Sequence, residues 1–226
     1  MSEAKLDEIA ESRNVNAAFH FREGRKWLAL SQKGHRTTPL AYCAFEFRLS
    51  LERVAFELLF QIRGSSFDEN DLKASKKVKN IQNRIHDLEG NQLQLDRKFT
   101  FLRILLELAG NKRFKLAHVN LSILKKHWQF CSEYCHMQFS LPTSWGDSAF
   151  VEAAYKGLCD VSEFLTDINS SLLVWPKWED AWITNLLNDF VDGKIDESVL
   201  ISELKKKGVW GLFEAPDGKK TFLSDL

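Results

Sequence analysis

Residues 40–63, LAYCAFEFRLSLERVAFELLFQIR, run without a glycine or proline until Gly64-Ser65-Ser66 closes them. A β-strand spans only about five or six residues, so a stretch of this length and apolar density reads as one long helix. Any fold this chain adopts must bury a large part of that helix.

The remaining sequence repeats the pattern of helix and short connector. Residues 4–32 are rich in Ala, Glu, Lys, Arg and Leu and lack proline; QKGHRTTP ends them, with Gly34 in the C-cap region and Pro39 at a new helix start. A polar helix is predicted over about 68–89, ending at Glu89-Gly90-Asn91, and an apolar one over 93–110. Residues 112–139 are either one long helix or a loop that turns helical at Asn120, a suitable N-cap. LPTSWGDS (141–148) is the clearest boundary, followed by helices at roughly 149–170, from near Pro176 to 191–193, and from Asp196 to Lys207. The tail suggests a hairpin around Pro216-Asp217-Gly218. With only 11 glycines and 4 prolines in 226 residues, a loop-rich sandwich or a disordered chain is excluded, and 44% apolar content supports a core. The expectation is an all-α fold: a helical bundle over 1–140 with a C-terminal helical extension, 149–226, packed on it.

Charge narrows the functional classes. The chain carries 31 basic and 31 acidic residues, so no overall basic field for nucleic acid is present. The basic run KASKKVKN (73–80) lies on the polar helix and reads as a solvated face, although its lysines could track a phosphate backbone. No apolar run is long enough for a membrane helix, and MSEAKLDEIAESR has no apolar signal core. Four cysteines in a chain of this size do not form a secreted disulfide framework. These features together point to a reducing cytosol.

Several polar groups stand out against this background. Arg48 and Glu52 are four apart, beside the face shared by Phe45, Leu49, Phe56 and Leu59. They form either a polar pair in an apolar wall that binds a partner, or an ion pair that satisfies itself. His127, Cys131 and Cys135 have helical i, i+4 spacing, but zinc needs more ligands than a helix offers there, and the cysteines fall in the buried stripe, so no metal site and no cofactor is expected. Extending the same helix backward would align His118, Lys125, Ser132 and His136 on one polar stripe that could hold phosphate and move protons; the plainer reading is a solvated helix face. NDFVDGKIDESV resembles a calcium loop only superficially, because Phe190 and Val199 occupy ligand positions; it reads as a turn.

The segment Arg113-Phe114-Lys115-Leu116-Ala117-His118, an Arg and a His separated by four residues late in a helical bundle, resembles the motif of the HEPN superfamily. The resemblance extends to the helix layout over about residues 17–140. It implies metal-independent RNA cleavage at a dimer interface, with Arg113 gripping the scissile phosphate, His118 handling the 2′-OH proton, and His136 or Lys125 assisting. Phe114 stands where that family usually carries a polar residue, and many of its members are non-catalytic interaction modules.

Two functions are therefore expected of different classes. One is an interaction module, not an enzyme, pairing with a second copy or another protein through its apolar helices, with Arg48, Glu52 and Lys125 as binding residues. The other is a ribonuclease acting through Arg113, His118 and His136, with RNA as partner. Trp145, Trp175, Trp178, Trp182 and Trp210 all follow residue 140 and either pack the C-terminal helices or form an aromatic docking surface.

Overall fold

Asn16 opens the first described helix, its side chain accepting a hydrogen bond from the Phe19 N–H and so satisfying one of the donors a helix start leaves unpaired. The computed structural model describes residues 16–109, 115–137, 148–175, 178, 180–207, 212–214 and 220–222, with side chains for all of these except 136, 137, 148, 212–214 and 220–222. Helix α1 (Ala17–Leu30) ends in a turn where Gln32, Lys33 and Gly34 take positive φ, and α2 (Thr37–Arg63) follows with Pro39 in its first turn. Gly64, also at positive φ, closes α2 as the sequence predicts.

The polar helix expected over 68–89 is two helices, α3 (Glu69–Ala74) and α4 (Val78–Glu89), separated by a turn at 75–77. Asp68 and Asp71 form a reciprocal capping box at the start of α3. A second box, Asn91 with Gln94, starts α5 (Gln92–Leu108). Of the two readings of 112–139, the loop that turns helical is correct. Asn120 Oδ1 accepts from the Ser122 and Ile123 N–H groups and starts α6 (Leu121–Met137). Helix α7 (Ser148–Asn169) comes next. Helix α8 (Ala181–Val191) begins after the expected Pro176, at the N-cap Asp180, and α9 (Glu197–Lys207) begins where Asp196 accepts from the Val199 N–H. The tail contains the expected hairpin: β1 (Leu212–Glu214) pairs antiparallel with β2 (Lys220–Phe222), Phe213 opposite Thr221. The fold class is all-α, a helical bundle with further C-terminal helices and this one small hairpin among the described residues.

The chain divides into two compact units, residues 1–84 with 119–170 and residues 85–118 with 171–226. This differs from the division at 140/149 expected from the sequence. Helix α7, assigned there to the extension, packs with α1, α2 and α6 in the first unit. The reason is its stripe of Ala154, Leu158, Val161, Leu165 and Ile168, all buried, together with Gly157, where an added Cβ would overlap the Phe130 ring of α6. The run from 85 to 118, expected inside the bundle, belongs instead to the second unit.

In the first unit α2 is the spine. Leu40, Cys43, Ala44, Phe47, Leu51, Val54, Ala55, Leu58 and Ile62 are buried along one side of it. Gly24 of α1 meets Phe47 so closely that a Cβ there would overlap the ring. The core of the second unit is Phe101, Ile104 and Leu105 of α5 with Leu187, Phe190 and Val191 of α8 and Leu200 and Leu204 of α9. Trp178 and Trp182 pack against it, and Trp175 sits edge-on to Phe99 with ring centroids 5.3 Å apart. These three tryptophans are packing residues; Trp145 and Trp210 lie outside the described residues.

Candidate functional site

The second unit holds the residue on which the catalytic reading rests. His118 is not on a helix. Residues 115–118 run extended beside 171–172, with Leu172 N–H donating to the Lys115 carbonyl (2.7 Å) and Ala117 N–H to the Leu172 carbonyl (2.9 Å). Because α6 starts only at Asn120, the polar stripe expected to join His118, Lys125, Ser132 and His136 does not exist as one helix face. Lys125 and Ser132 are on α6 in the first unit, where Ser132 Oγ donates back to the Trp128 carbonyl (2.8 Å). Arg113 and the His136 side chain lie outside the described residues.

What the second unit does bring to His118 is a carboxylate that no motif in the chain marks. His118 Nε2 donates to Asp96 Oδ1 at 2.8 Å, and Gln92 Nε2 donates to the same oxygen at 2.7 Å. The imidazole lies against Phe99 (centroids 5.4 Å), which in turn contacts Trp175, and Lys98 Nζ sits 6.0 Å from the Trp175 ring centroid while pairing with Glu89 (2.7 Å). His118 and Asp96 are 56% and 32% exposed, so the pair faces solvent rather than the core. An imidazole with one nitrogen fixed by a carboxylate keeps its second nitrogen for proton exchange. Only the spacing of Gln92 and Asp96, four apart on α5, could have hinted at this arrangement.

In the first unit, α2 presents apolar residues on the side opposite its core. At about 100° per residue, Tyr42, Phe45, Leu49, Phe56 and Phe60 fall on the outward side. Tyr42 is 47% and Phe45 46% exposed, and Leu49, Phe56 and Phe60 are half-buried. The expected shared face of Phe45, Leu49, Phe56 and Leu59 is thus split: Leu59 is fully buried and the other three point outward. Trp27 of α1 stacks on Tyr42 (centroids 4.9 Å), and Leu30, 48% exposed, lies at the end of the same helix. Phe56 and Phe60 form a ring cluster with Phe67.

Charged groups line both edges of this face. Toward α6, Arg48 Nε donates to Glu52 Oε1 (3.1 Å), the Trp128 indole N–H donates to the same oxygen (2.8 Å), and the Arg48 guanidinium lies over the Trp128 ring at 5.6 Å. The two side chains are 28% and 35% exposed, so both readings of the pair hold in part: it satisfies itself, and it still reaches solvent. Toward α1, His20 Nδ1 donates to Glu46 Oε2 (2.7 Å) and Glu57 accepts the Ala17 N–H (3.3 Å).

Cys43 and Cys131 are buried in the core, and Cys135, Cys159 and His127 are half-buried at its margin. Burial pushes the Cys43 and Cys131 thiols far up from their ordinary range, and raises Cys135 against the opposing pull of Arg48. Burial also lowers the pKa of His127, only partly offset by Asp160, and its ring packs on Phe164 (5.0 Å). Among the described residues no group of three or more His, Cys, Asp or Glu side chains converges on a common point suited to a metal ion. The calcium-like loop is a turn in which Lys194 pairs with Asp189 (2.9 Å) and Asp192 (3.1 Å). Lys73, Lys76, Lys77 and Lys79 of the basic run are exposed. No described helix is long and apolar enough to cross a membrane.

The fold and these two sites define a helical-bundle protein with an unusually apolar outer helix face and a surface His–Asp pair. Comparison with known proteins finds no matching family model, no similar curated protein and no similar solved structure.

Proposed function

We propose that this chain is a cytosolic helical protein of HEPN-like type that works as an interaction and assembly module, associating with itself through the outward face of α2. The observation that carries this reading is the exposure of Tyr42 and Phe45 on a helix whose opposite side already fills a core. Large apolar side chains clustered at the surface and edged by charged pairs are the usual anatomy of a protein–protein interface. Aromatic anchors at the centre of such a patch supply most of the binding free energy. Light scattering at increasing concentration tests it. The expected result is a dimer that Phe45→Glu converts to a monomer with unchanged helical circular dichroism. A monomer at every concentration rejects the reading.

A second reading, metal-independent RNA cleavage, is favoured by one observation: the exposed His118 imidazole is held by the Asp96 carboxylate at 2.8 Å. In that chemistry His118 exchanges the 2′-OH proton, Asp96 fixes its tautomer, and Arg113 grips the phosphate. RNA incubated with the protein in a metal chelator, beside His118→Ala, Asp96→Asn and Arg113→Ala, decides it. Cleavage lost in all three variants supports the enzyme; no cleavage, or cleavage unchanged by them, removes it.

A further inference from the structure

Along the outward face of α2 the chemistry nearly mirrors itself about the level of Ser50, whose own side chain is buried and donates to the Ala17 carbonyl. Two residues before Ser50 stands Arg48 and two after it Glu52, both on the edge toward α6. Further out, Glu46 is balanced by Arg53 on the edge toward α1, Phe45 by Phe56 on the ridge, and Tyr42 by Phe60 near its ends. Leu49 lies on the ridge next to the centre.

A two-fold axis that crosses a helix at right angles, in the plane of contact, reverses the chain direction and keeps each edge against the same edge of the copy. Applied at the level of Ser50, that operation sets Arg48 opposite Glu52 of the second copy, and brings Glu46 to its Arg53 and Phe45 to its Phe56 with an offset of about one residue's rise, roughly 1.5 Å, which side chains span. Each charge of these two pairs then meets its opposite and Phe45 meets another ring, while Glu57 keeps its bond to the Ala17 N–H within its own chain. The macrodipoles of the two helices oppose each other as well, which is favourable by a small margin.

From this we infer that the partner on the α2 face is a second copy of the chain lying antiparallel, with the two-fold axis crossing the outward face at the level of Ser50. The inference rests on the self-association proposed above and adds its direction and register. Arg48 and Glu52, already joined within one chain at 3.1 Å, become a ring of four alternating charges, and the Trp128 indole of each copy holds one side of that ring. Such a ring sets register more than affinity, because a shifted pairing brings like charges together. The aromatic ridge supplies the attraction.

Single-cysteine cross-linking separates the outcomes. Leu49→Cys, Phe45→Cys and Phe56→Cys chains are purified, checked for unchanged helical circular dichroism, and oxidised mildly, with the native chain and its four cysteines as background. The expected result is a disulfide dimer of Leu49→Cys, and a cross-link on mixing Phe45→Cys with Phe56→Cys that neither forms alone. Cross-links of Phe45→Cys with itself indicate a parallel pair and overturn the register while leaving self-association intact. A dimer in light scattering with no cross-link above background at any of the three sites overturns this face as the contact. A monomer in light scattering removes the assembly reading and this inference together.

Discussion

Trp128 donates its indole N–H to Glu52 Oε1 at 2.8 Å, joining α6 to α2 across 76 residues of sequence. The same carboxylate receives Arg48 from its own helix, and the Arg48 guanidinium covers the Trp128 ring. One carboxylate thus collects two donors, and one ring serves as both donor and cation platform. Without this arrangement Arg48 and Glu52 would be an ordinary surface pair of little energetic weight.

Removing only the indole donor tests that arrangement. Trp128→Phe keeps most of the packing and deletes one hydrogen bond to a charged acceptor, so a loss of about 1–2 kcal/mol is expected in urea denaturation. In Glu52→Gln the same Trp128 substitution should cost measurably less, since the charge assistance is gone.

Asp71 gives the clearest acid-sensitive point in the first unit. Its side chain is fully buried and accepts from Arg84 (2.7 Å), Arg63 (2.7 Å) and the Asp68 N–H (3.0 Å). Burial opposes its ionisation, but the bonds from Arg84, the Asp68 backbone and Arg63 outweigh that and hold its pKa below the usual carboxylate range. A depressed folded-state pKa means the stabilisation is present above the unfolded value, near 3.8, and is lost as pH falls through the folded one. Asp71→Asn should cost about 3–5 kcal/mol at neutral pH by leaving two guanidinium groups facing an uncharged amide, and should flatten the acid limb of the stability curve below about pH 4.

His127 shifts stability in a different window. Burial lowers its folded-state pKa beneath the ordinary 6.5, so the unfolded chain binds the proton more readily. Stability should therefore begin to fall as pH drops below about 6.5 and stop falling once the folded-state value is passed. In His127→Phe that part of the pH dependence should disappear from thermal melts taken between pH 5 and 8, roughly the range where imidazole titrates.

Gly24 inverts an ordinary rule. Glycine to alanine inside a helix usually gains up to about 1 kcal/mol. Here the new methyl would overlap the ring of Phe47, which is fully buried and has no room to move. Gly24→Ala is expected to lose about 1–3 kcal/mol. Combining it with Phe47→Leu should cost less than the sum of the two single losses, read from denaturant midpoints.

Much of the secondary structure was legible because its signals are local. Asn120, Asp196, Gly34, Gly64 and the 89–91 break each act on backbone groups a few residues away, and each marks a helix end in the structure. The split of the polar helix at 75–77 was missed because Ser75, Lys76 and Lys77 are tolerated in helices and carry no breaker signal. The sites were less legible. Arg48 with Glu52 was visible as an i, i+4 pair, but its third member, Trp128, was not. The spacing in the chain points from His118 to Arg113, which lies outside the described residues; among the described residues His118 pairs with Asp96, which no local motif marks.

Helix periodicity and caps are properties of neighbouring residues, so the helical class, most helix ends and the central place of α2 can be read from the chain alone. Which side of α2 becomes core is less plain, because large apolar residues stand on both sides of that helix, although its charges Glu46, Arg48, Glu52, Arg53 and Glu57 all fall on the outward side. Contacts from α1, α6 and α7 made that choice, burying the side of Phe47 and Leu51 and leaving Tyr42 and Phe45 outward. The same kind of long-range packing moved α7 into the first unit, drew 85–118 into the second, and set His118 beside Asp96. These features depend on side chains far apart in the chain meeting in space, and only the tertiary structure supplies that meeting.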